Sequence, residues 1–170
     1  MGIPNNSAEV AVSFAVVAKK FCALVDSAPD IDRSEFVAQV YRVLSKLIDE
    51  AVQMPDVERS DNQRRRSPLN VRHQEWERLY NALKEKLGDW NLYRQVFDPT
   101  QDNEAIFGSL ADDLADIYGD LRKGLELNDA CPSQREDAIW EWRVLFYSHW
   151  GKHAIDALQA IHSHLQNGTT

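Results

Sequence analysis

Residues 110–125, LADDLADIYGDLRKGL, carry the pattern that decides the fold. Large apolar side chains recur there at three- and four-residue steps, and a helix turns by about 100° per residue. One side of such a helix therefore collects Phe107, Leu110, Leu114, Ile117 and Leu121. We predict a helix over about 105–126 whose core face is formed by these side chains.

The same periodicity runs through most of the chain. It predicts further helices over about 7–26, 34–53 and 76–87, a short one over 92–96, and a final long one over 133–166. The last would be roughly 50 Å long, so it either forms the spine of a bundle or kinks, and Gly151 is the expected position of a kink. The sequence therefore predicts an all-α fold, a bundle of five to six helices with a long C-terminal helix.

Length and composition indicate one domain over residues 1–170. The chain has 170 residues, of which 44% are hydrophobic, and this suffices for one sizeable core. Residues 1–6 are expected to form a flexible tail. Residues 54–71 contain two prolines and seven charged residues up to Arg66, so we expect a surface loop. Its run Arg64–Arg66 is either a solvated linker or a site for an anion.

The charge balance excludes some classes of partner. A formal net charge of −8 and a pI near 5.1 argue against nucleic-acid binding, which needs a basic face. The two cysteines have neither metal-binding nor redox spacing, which favours a reducing cytoplasm. Within residues 8–25 the apolar part follows Glu9 and precedes Lys19–Lys20, unlike a signal peptide, and the segment is too short and too interrupted to span a membrane. We expect a soluble cytoplasmic protein without membrane contact.

Acidic side chains form a stripe on the helix of the opening pattern. Asp113, Asp116 and Asp120 follow one another at i, i+3 and i+7, and no Lys or Arg occurs between residues 95 and 121. Like charges at this spacing repel each other by a few tenths of a kcal/mol per pair. The stripe therefore needs compensation, which cationic side chains of a neighbouring helix, a divalent cation or water could each supply.

Two histidines and one aspartate share a face of the last helix. In residues 149–156, HWGKHAID, His149, His153 and Asp156 follow one another at i, i+4 and i+7. The projection puts His153 in the middle of the apolar face, where its N–H needs a partner. That partner is Asp156 or an aspartate of the acidic stripe. The alternative is a metal site with both histidines as nitrogen ligands and Asp113, Asp116 or Asp156 as oxygen ligands.

Two long motifs together resemble a bacterial family known only as domain of unknown function 5063. They are LADDLADIYGDLRKGL and, over residues 146–162, FYSHWGKHAIDALQAIH, and the resemblance extends from about Ser34 onward. It implies an all-α bacterial protein without an assigned activity. The positions of the motif pair are Asp113, Asp116, Tyr118, Asp120, Trp150, Gly151, His153 and Ala157. Gly119 departs from the larger residue expected between Tyr118 and Asp120.

A second similarity concerns Asp113-x-x-Asp116, which looks like one half of the acidic motifs of all-α nucleotide pyrophosphatases. Those enzymes bind Mg²⁺ through two carboxylate pairs on adjacent helices. The other half, Glu-x-x-Glu, is missing, because Glu75 and Glu77 have the wrong spacing. The missing pair counts against the metal-dependent hydrolase that this resemblance implies.

Two functions follow from the sequence. The first is a non-catalytic protein-interaction or regulatory module without a cofactor, in which a polar cluster fixes helix register. That cluster consists of Asp113, Asp116, Asp120, His149, His153 and Asp156. The second is a divalent-metal-dependent hydrolase that uses Asp113, Asp116, His149 and His153 with Mg²⁺, Mn²⁺ or Zn²⁺. A protein partner or a homodimer through Trp76, Trp90 or Trp140 is compatible with the first function.

Overall fold

The structure, a computed structural model, describes residues 7–60, 73–96, 98, 100–101 and 104–167. The predicted tail over 1–6, most of the predicted loop (61–71) and its Arg64–Arg66 run lie outside these residues. The described residues form six α-helices, a π-helical turn and two strands, a mostly helical fold as predicted. In chain order these are α1 Ser7–Asp26, α2 Arg33–Val52, α3 His73–Leu87, β1 Leu92–Val96, β2 Ala105–Ser109, α4 Leu110–Ala130, α5 Arg135–Leu145, the π turn Phe146–Trp150 and α6 Gly151–Asn167.

Helix α4 lies at the centre of the bundle and contacts α1, α3, α5 and α6. Its predicted core face is confirmed from Leu110 onward, because Leu110, Leu114, Ile117 and Leu121 are all buried. Helices α1 and α2 pack against each other, and α2 also contacts α6. The acidic stripe of α4 is therefore held between helices rather than on a free surface.

The predictions for residues 92–96 and 105–109 were wrong. Both segments are strands and pair antiparallel, with Tyr93 opposite Gly108. Five residues are too few for a helix that buries its own backbone polar groups, whereas pairing satisfies them, and the aromatic and branched side chains favour strands. Phe107 therefore does not join the core, and 68% of its surface is exposed.

The long C-terminal helix is present but is interrupted. Its helical path runs from Arg135 to Asn167, with the π turn over 146–150 ending immediately before Gly151. A Cβ atom on residue 151 would lie 2.2 Å from the carbonyl oxygen of Phe146, so only glycine fits this turn. The irregularity expected at Gly151 is thus a π turn, and α6 begins at this glycine.

Part of the predicted loop contacts the bundle. The backbone N–H of Ser60 donates to Asp137 Oδ1 over 2.8 Å, and its hydroxyl donates to Asp137 Oδ2 over 2.9 Å.

Among the described residues, no helix has the length and apolar character needed to cross a membrane.

Candidate metal centre

The N-terminus of α4 is fixed by two neighbouring side chains, and this places the acidic stripe. Ser109 is the N-cap, and its hydroxyl accepts from the backbone N–H of Asp112. Buried Asn91 accepts from the backbone N–H of Ala111 over 2.9 Å through Oδ1. The first turn of α4, which carries Asp113, is thereby held against the segment before β1.

The two histidines come from either side of Gly151. His149 lies in the π turn and His153 in the first turn of α6. Their rings are in contact, with centroids 4.8 Å apart and an interplanar angle of 71°. Because π turns are rare and recur at functional sites, the placement of His149 in one is notable.

Each imidazole is bonded through Nδ1 to a carboxylate of α4. His153 Nδ1 lies 2.8 Å from Asp113 Oδ1, and His149 Nδ1 lies 2.7 Å from Asp120 Oδ2. Asp113 and Asp120 are both buried, so each is a strong acceptor shielded from water. In both rings Nδ1 therefore faces a carboxylate and donates to it.

Both remaining ring nitrogens face the same oxygen. His153 Nε2 lies 3.4 Å from Asp116 Oδ2, and His149 Nε2 lies 3.8 Å from it. The other oxygen of this carboxylate, Oδ1, accepts from the indole N–H of Trp76 over 2.8 Å. Trp76 thus orients the Asp116 carboxylate so that Oδ2 faces the two rings.

The two carboxylates that hold the rings are themselves held. The hydroxyl of Tyr93 donates to Asp113 Oδ2 over 2.6 Å, and Lys123 Nζ donates to Asp120 Oδ1 over 2.8 Å. Tyr93 can reach across β2 because its partner in the sheet is glycine: a Cβ atom on residue 108 would lie 2.5 Å from the tyrosine ring. The hairpin therefore contributes a side chain to the cluster.

The protonation of the Asp113–His153 pair follows from burial and bonding. The hydrogen bond to Asp113 raises the pKa of His153, and burial opposes this effect. Burial raises the pKa of Asp113, which the hydrogen bonds from His153 and Tyr93 partly offset. Burial next to Asp113 also raises the pKa of Tyr93, which stays a proton donor. Because the pKa of each group is raised, the hydrogen bond between His153 Nδ1 and Asp113 Oδ1 keeps its proton.

A cavity of about 300 Å³ opens beside the cluster. Its wall is formed by His73, Trp76, Ala115, Asp116, Gly119, Asp120, Lys123 and His149. The His149 side chain is 46% exposed and the Asp116 side chain is 24% exposed. Both groups can therefore be reached from solvent.

Two groups of side chains in the described part of the chain have donor atoms close enough to share one cation. Asp116, His149 and His153 form one group, and Asp112, Asp113 and His153 form the other, with donor atoms within 4.8 Å of one another. In the second group, His153 Nδ1 and Asp113 are already bonded to each other. In the first group, the two Nε2 atoms come no closer than 3.4 Å to Asp116 Oδ2, so this group suits a metal ion better.

The structure brings together five of the six residues of the polar cluster predicted from the sequence. Asp156 is the exception, because it accepts from Lys152 over 2.6 Å and is not bonded to His153. Of the two partners considered for His153, the acidic helix supplies the actual one. The sequence analysis did not include Tyr93, Trp76 and Lys123 in the cluster. The sequence shows only that each of these side chains has a hydrogen-bond donor, and not that the donor faces the acidic stripe.

The three tryptophans considered for a dimer contact are each engaged within the fold. Trp76 bonds to Asp116, Trp90 stacks on His164 with centroids 4.8 Å apart, and Arg59 lies over Trp140. Among the residues that the structure describes, the large exposed aromatic side chains are instead Phe107 and Tyr147. A homodimer stays a prediction.

Comparison with known proteins identifies relatives without an assigned activity. The model of a family described as "Domain of unknown function (DUF5063)" matches residues 5–167. The crystal structure of protein BF1032 from Bacteroides fragilis has a similar fold, with 25% sequence identity, a TM-score of 0.75 and coverage of 89% of each chain. No curated protein matches the chain.

Proposed function

Since the chain belongs to the DUF5063 family, whose description names no activity, we propose a function from the site itself. The protein binds a divalent transition-metal ion through Asp116, His149 and His153. The ion keeps a coordination position open to the adjoining cavity, and the site belongs to the hydrolytic class of metal centres.

The observation that carries this proposal is the convergence of two histidine Nε2 atoms on Asp116 Oδ2. Because Nδ1 of each ring is bonded to a carboxylate, Nε2 is the nitrogen that each ring offers to an ion beside Asp116 Oδ2. The two Nε2 atoms lie 3.4 and 3.8 Å from that oxygen, and a divalent cation among the three atoms would take the place of any Nε2 proton and be attracted by all three.

The contacts around the three ligands match those that support metal-bound histidines elsewhere. Such histidines almost always donate their other ring N–H to a carboxylate or carbonyl, which fixes the tautomer. Here Asp113 serves His153 and Asp120 serves His149. If these side chains only joined two helices by hydrogen bonds, the two rings would not both need to bond a carboxylate through Nδ1 and turn Nε2 toward Asp116.

The donor set and the spacing favour Zn²⁺ among the three ions considered. Zn–N and Zn–O bonds of about 2.0–2.2 Å put tetrahedral ligand atoms roughly 3.3–3.5 Å apart. The 3.4 Å contact agrees with this value, and the 3.8 Å contact is slightly wide. Mg²⁺ prefers oxygen ligands, so two imidazoles argue against the pyrophosphatase-like version of the hydrolase.

Three protein ligands beside a cavity are typical of catalytic rather than structural zinc sites. When bound, such an ion lowers the pKa of its water to near 7 and polarises an oxygen of the substrate. The chain itself would hold the rings through Asp113 and Asp120 and orient the ligand carboxylate through Trp76. The exposed His149 edge leaves access from the cavity.

The test is metal content and metal-dependent melting of protein made without a histidine tag. We expect about one Zn²⁺ per chain and a higher melting temperature with Zn²⁺ than in EDTA. Asp116→Asn, His149→Gln and His153→Gln should each abolish both effects. Asp112→Asn is the matched control, because Asp112 belongs only to the other candidate group.

Two results would sink the proposal. One is wild-type protein that takes up no metal and melts at the same temperature with Zn²⁺ and EDTA. The other is loss of Zn²⁺ binding in Asp112→Asn but not in Asp116→Asn, which would assign the ion to the other group of side chains. The interaction-module function stays a prediction. Sedimentation at two protein concentrations tests one form of it, the homodimer.

A further inference from the structure

We infer that the cavity beside the metal centre takes a small oxyanion, held between the bound ion and the ammonium group of Lys123. This inference rests on the proposed metal site and names the class of ligand that the site accepts. Phosphate and carboxylate groups share the required chemistry, because either can give one oxygen to the ion and another to the ammonium group.

The cavity has the size and wall for such a ligand. Its volume of about 300 Å³ compares with roughly 30 Å³ for one water molecule, so it holds a group of several atoms. Ala115 and Gly119 line it from α4. Because these two side chains are small, they leave space beside Asp116, and the ring of Trp76 bounds the same space from α3.

Charge makes the inference depend on the metal. The formally charged side chains in the cavity wall are the carboxylates of Asp116 and Asp120 and the ammonium of Lys123. Without a metal this wall is net negative and repels anions. A divalent ion at the three ligands makes it net positive, so metal and anion should bind in that order.

Lys123 is placed to contact a ligand without leaving its present partner. Its Nζ atom donates to Asp120 Oδ1 over 2.8 Å, and the side chain is 20% exposed. An ammonium group has three donors, and the contacts of the described residues use one of them. The other oxygen of the Asp120 carboxylate is bonded to His149. Asp120 therefore links Lys123 to a proposed metal ligand, and Lys123 also lines the cavity.

The experiment uses Co²⁺ in place of Zn²⁺, because the visible spectrum of Co²⁺ reports its coordination. The probes are inorganic phosphate and acetate, with chloride at matched ionic strength as the blank. In the wild type we expect phosphate, acetate or both to change the spectrum saturably, and the comparison tells phosphate from carboxylate preference. Each variant is titrated at a Co²⁺ concentration that saturates it, because Lys123 also holds Asp120. Under these conditions Lys123→Gln should weaken anion binding about tenfold or more.

Three further variants sharpen the result. Lys123→Arg keeps the charge and should retain anion binding, and Lys20→Gln removes a surface charge from α1 and should match the wild type. Gly119→Leu fills the cavity and should abolish the response to the anion while Co²⁺ still binds. All three are read in the same titration as the wild type.

The outcomes separate the two proposals. Failure of the wild type to take up Co²⁺ or Zn²⁺ overturns the metal site and the oxyanion inference together. Uptake of Co²⁺ with no response to either anion overturns the oxyanion inference alone. A response that Lys123→Gln leaves unchanged overturns the assignment to Lys123.

Discussion

The Nδ1 atom of His153 lies 2.8 Å from Asp113 Oδ1, so a buried carboxylate on α4 sets the orientation of a ring on α6. This contact decides which ring nitrogen faces Asp116. It joins the two helices at the point where the proposed ligands meet, and it is supported from the hairpin by Tyr93.

Replacing this carboxylate should weaken metal binding without removing a ligand. For Asp113→Asn we expect Zn²⁺ affinity to fall about 10- to 100-fold, because partners of this kind tune ligand orientation and basicity. Tyr93→Phe, which removes only the hydroxyl donor to Asp113, should cause a smaller loss. Competition with a coloured chelator measures both. Complete loss of binding in Asp113→Asn, equal to that in Asp116→Asn, would instead make Asp113 a ligand.

The π turn gives a second prediction. Gly151→Ala puts a Cβ atom 2.2 Å from the Phe146 carbonyl oxygen, so the turn must shift or the helix must rewind. We expect a loss of about 1–3 kcal/mol in the free energy of unfolding. Zn²⁺ affinity should fall too, since His149 lies within the turn. Urea unfolding and a Zn²⁺ titration measure these effects.

The control for that variant is Gly119→Ala, another glycine-to-alanine change within a helix. Residue 119 lines the cavity, so an added methyl group there has room. It should leave stability unchanged or raise it by up to about 1 kcal/mol. Wild-type stability and Zn²⁺ affinity in Gly151→Ala would show that the turn tolerates a side chain and does not depend on glycine.

The helices and the stripe on α4 were predictable because they depend on local periodicity. A repeat near 3.6 residues fixes which side chains share a face, and this put Asp113, Asp116 and Asp120 along one edge. The same rule placed His153 in the middle of the apolar face of the last helix. That these two stripes meet follows from the packing of α4 against α6.

The hairpin and the π turn were not predictable in the same way. Residues 92–96 are short enough to suit a helix turn or a strand, and the choice depends on pairing with Ala105–Ser109 across the intervening chain. Tyr93 reaches Asp113 only because of that pairing. The π turn depends on a backbone approach between Phe146 and Gly151, for which the sequence offers a glycine and no periodic signal.

Asn91 gives a third prediction, about the start of α4. Its buried side-chain oxygen accepts from the backbone N–H of Ala111 over 2.9 Å and from the Ser109 hydroxyl over 3.2 Å. Asn91→Ala leaves that N–H buried without its partner, which should cost about 1–3 kcal/mol. Asn91→Asp keeps an acceptor beside a helix N-terminus and should recover part of the loss.

Urea unfolding measures the stability of both Asn91 variants, and hydrogen exchange locates the change. We expect the amide of Ala111 to lose protection in Asn91→Ala more than amides in the middle of α4 do. Equal stability of Asn91→Ala and the wild type would mean that Ser109 alone suffices to cap the helix.

Glu141 gives a prediction about pH. It is only 6% exposed, and burial raises the pKa of its carboxyl group above the ordinary value of 4.5, with Arg59 and Lys123 opposing the effect and Asp120 adding to it. The folded chain thus holds this proton more tightly than the unfolded chain. The Glu141 contribution to the free energy of unfolding therefore falls as the pH rises from about 4.5 through the raised pKa, and then stays level.

Glu141→Gln removes that titration, so it should be more stable than the wild type at pH 7, by roughly 1 kcal/mol, and close to it at pH 4. Urea unfolding at a series of pH values gives the difference directly, and pH effects common to both proteins cancel. Glu126→Gln, on an exposed position of α4, should show no such trend. A Glu141→Gln variant less stable than the wild type at pH 7 would mean that the ionised carboxylate is stabilised by Arg59 or Lys123 more than burial penalises it.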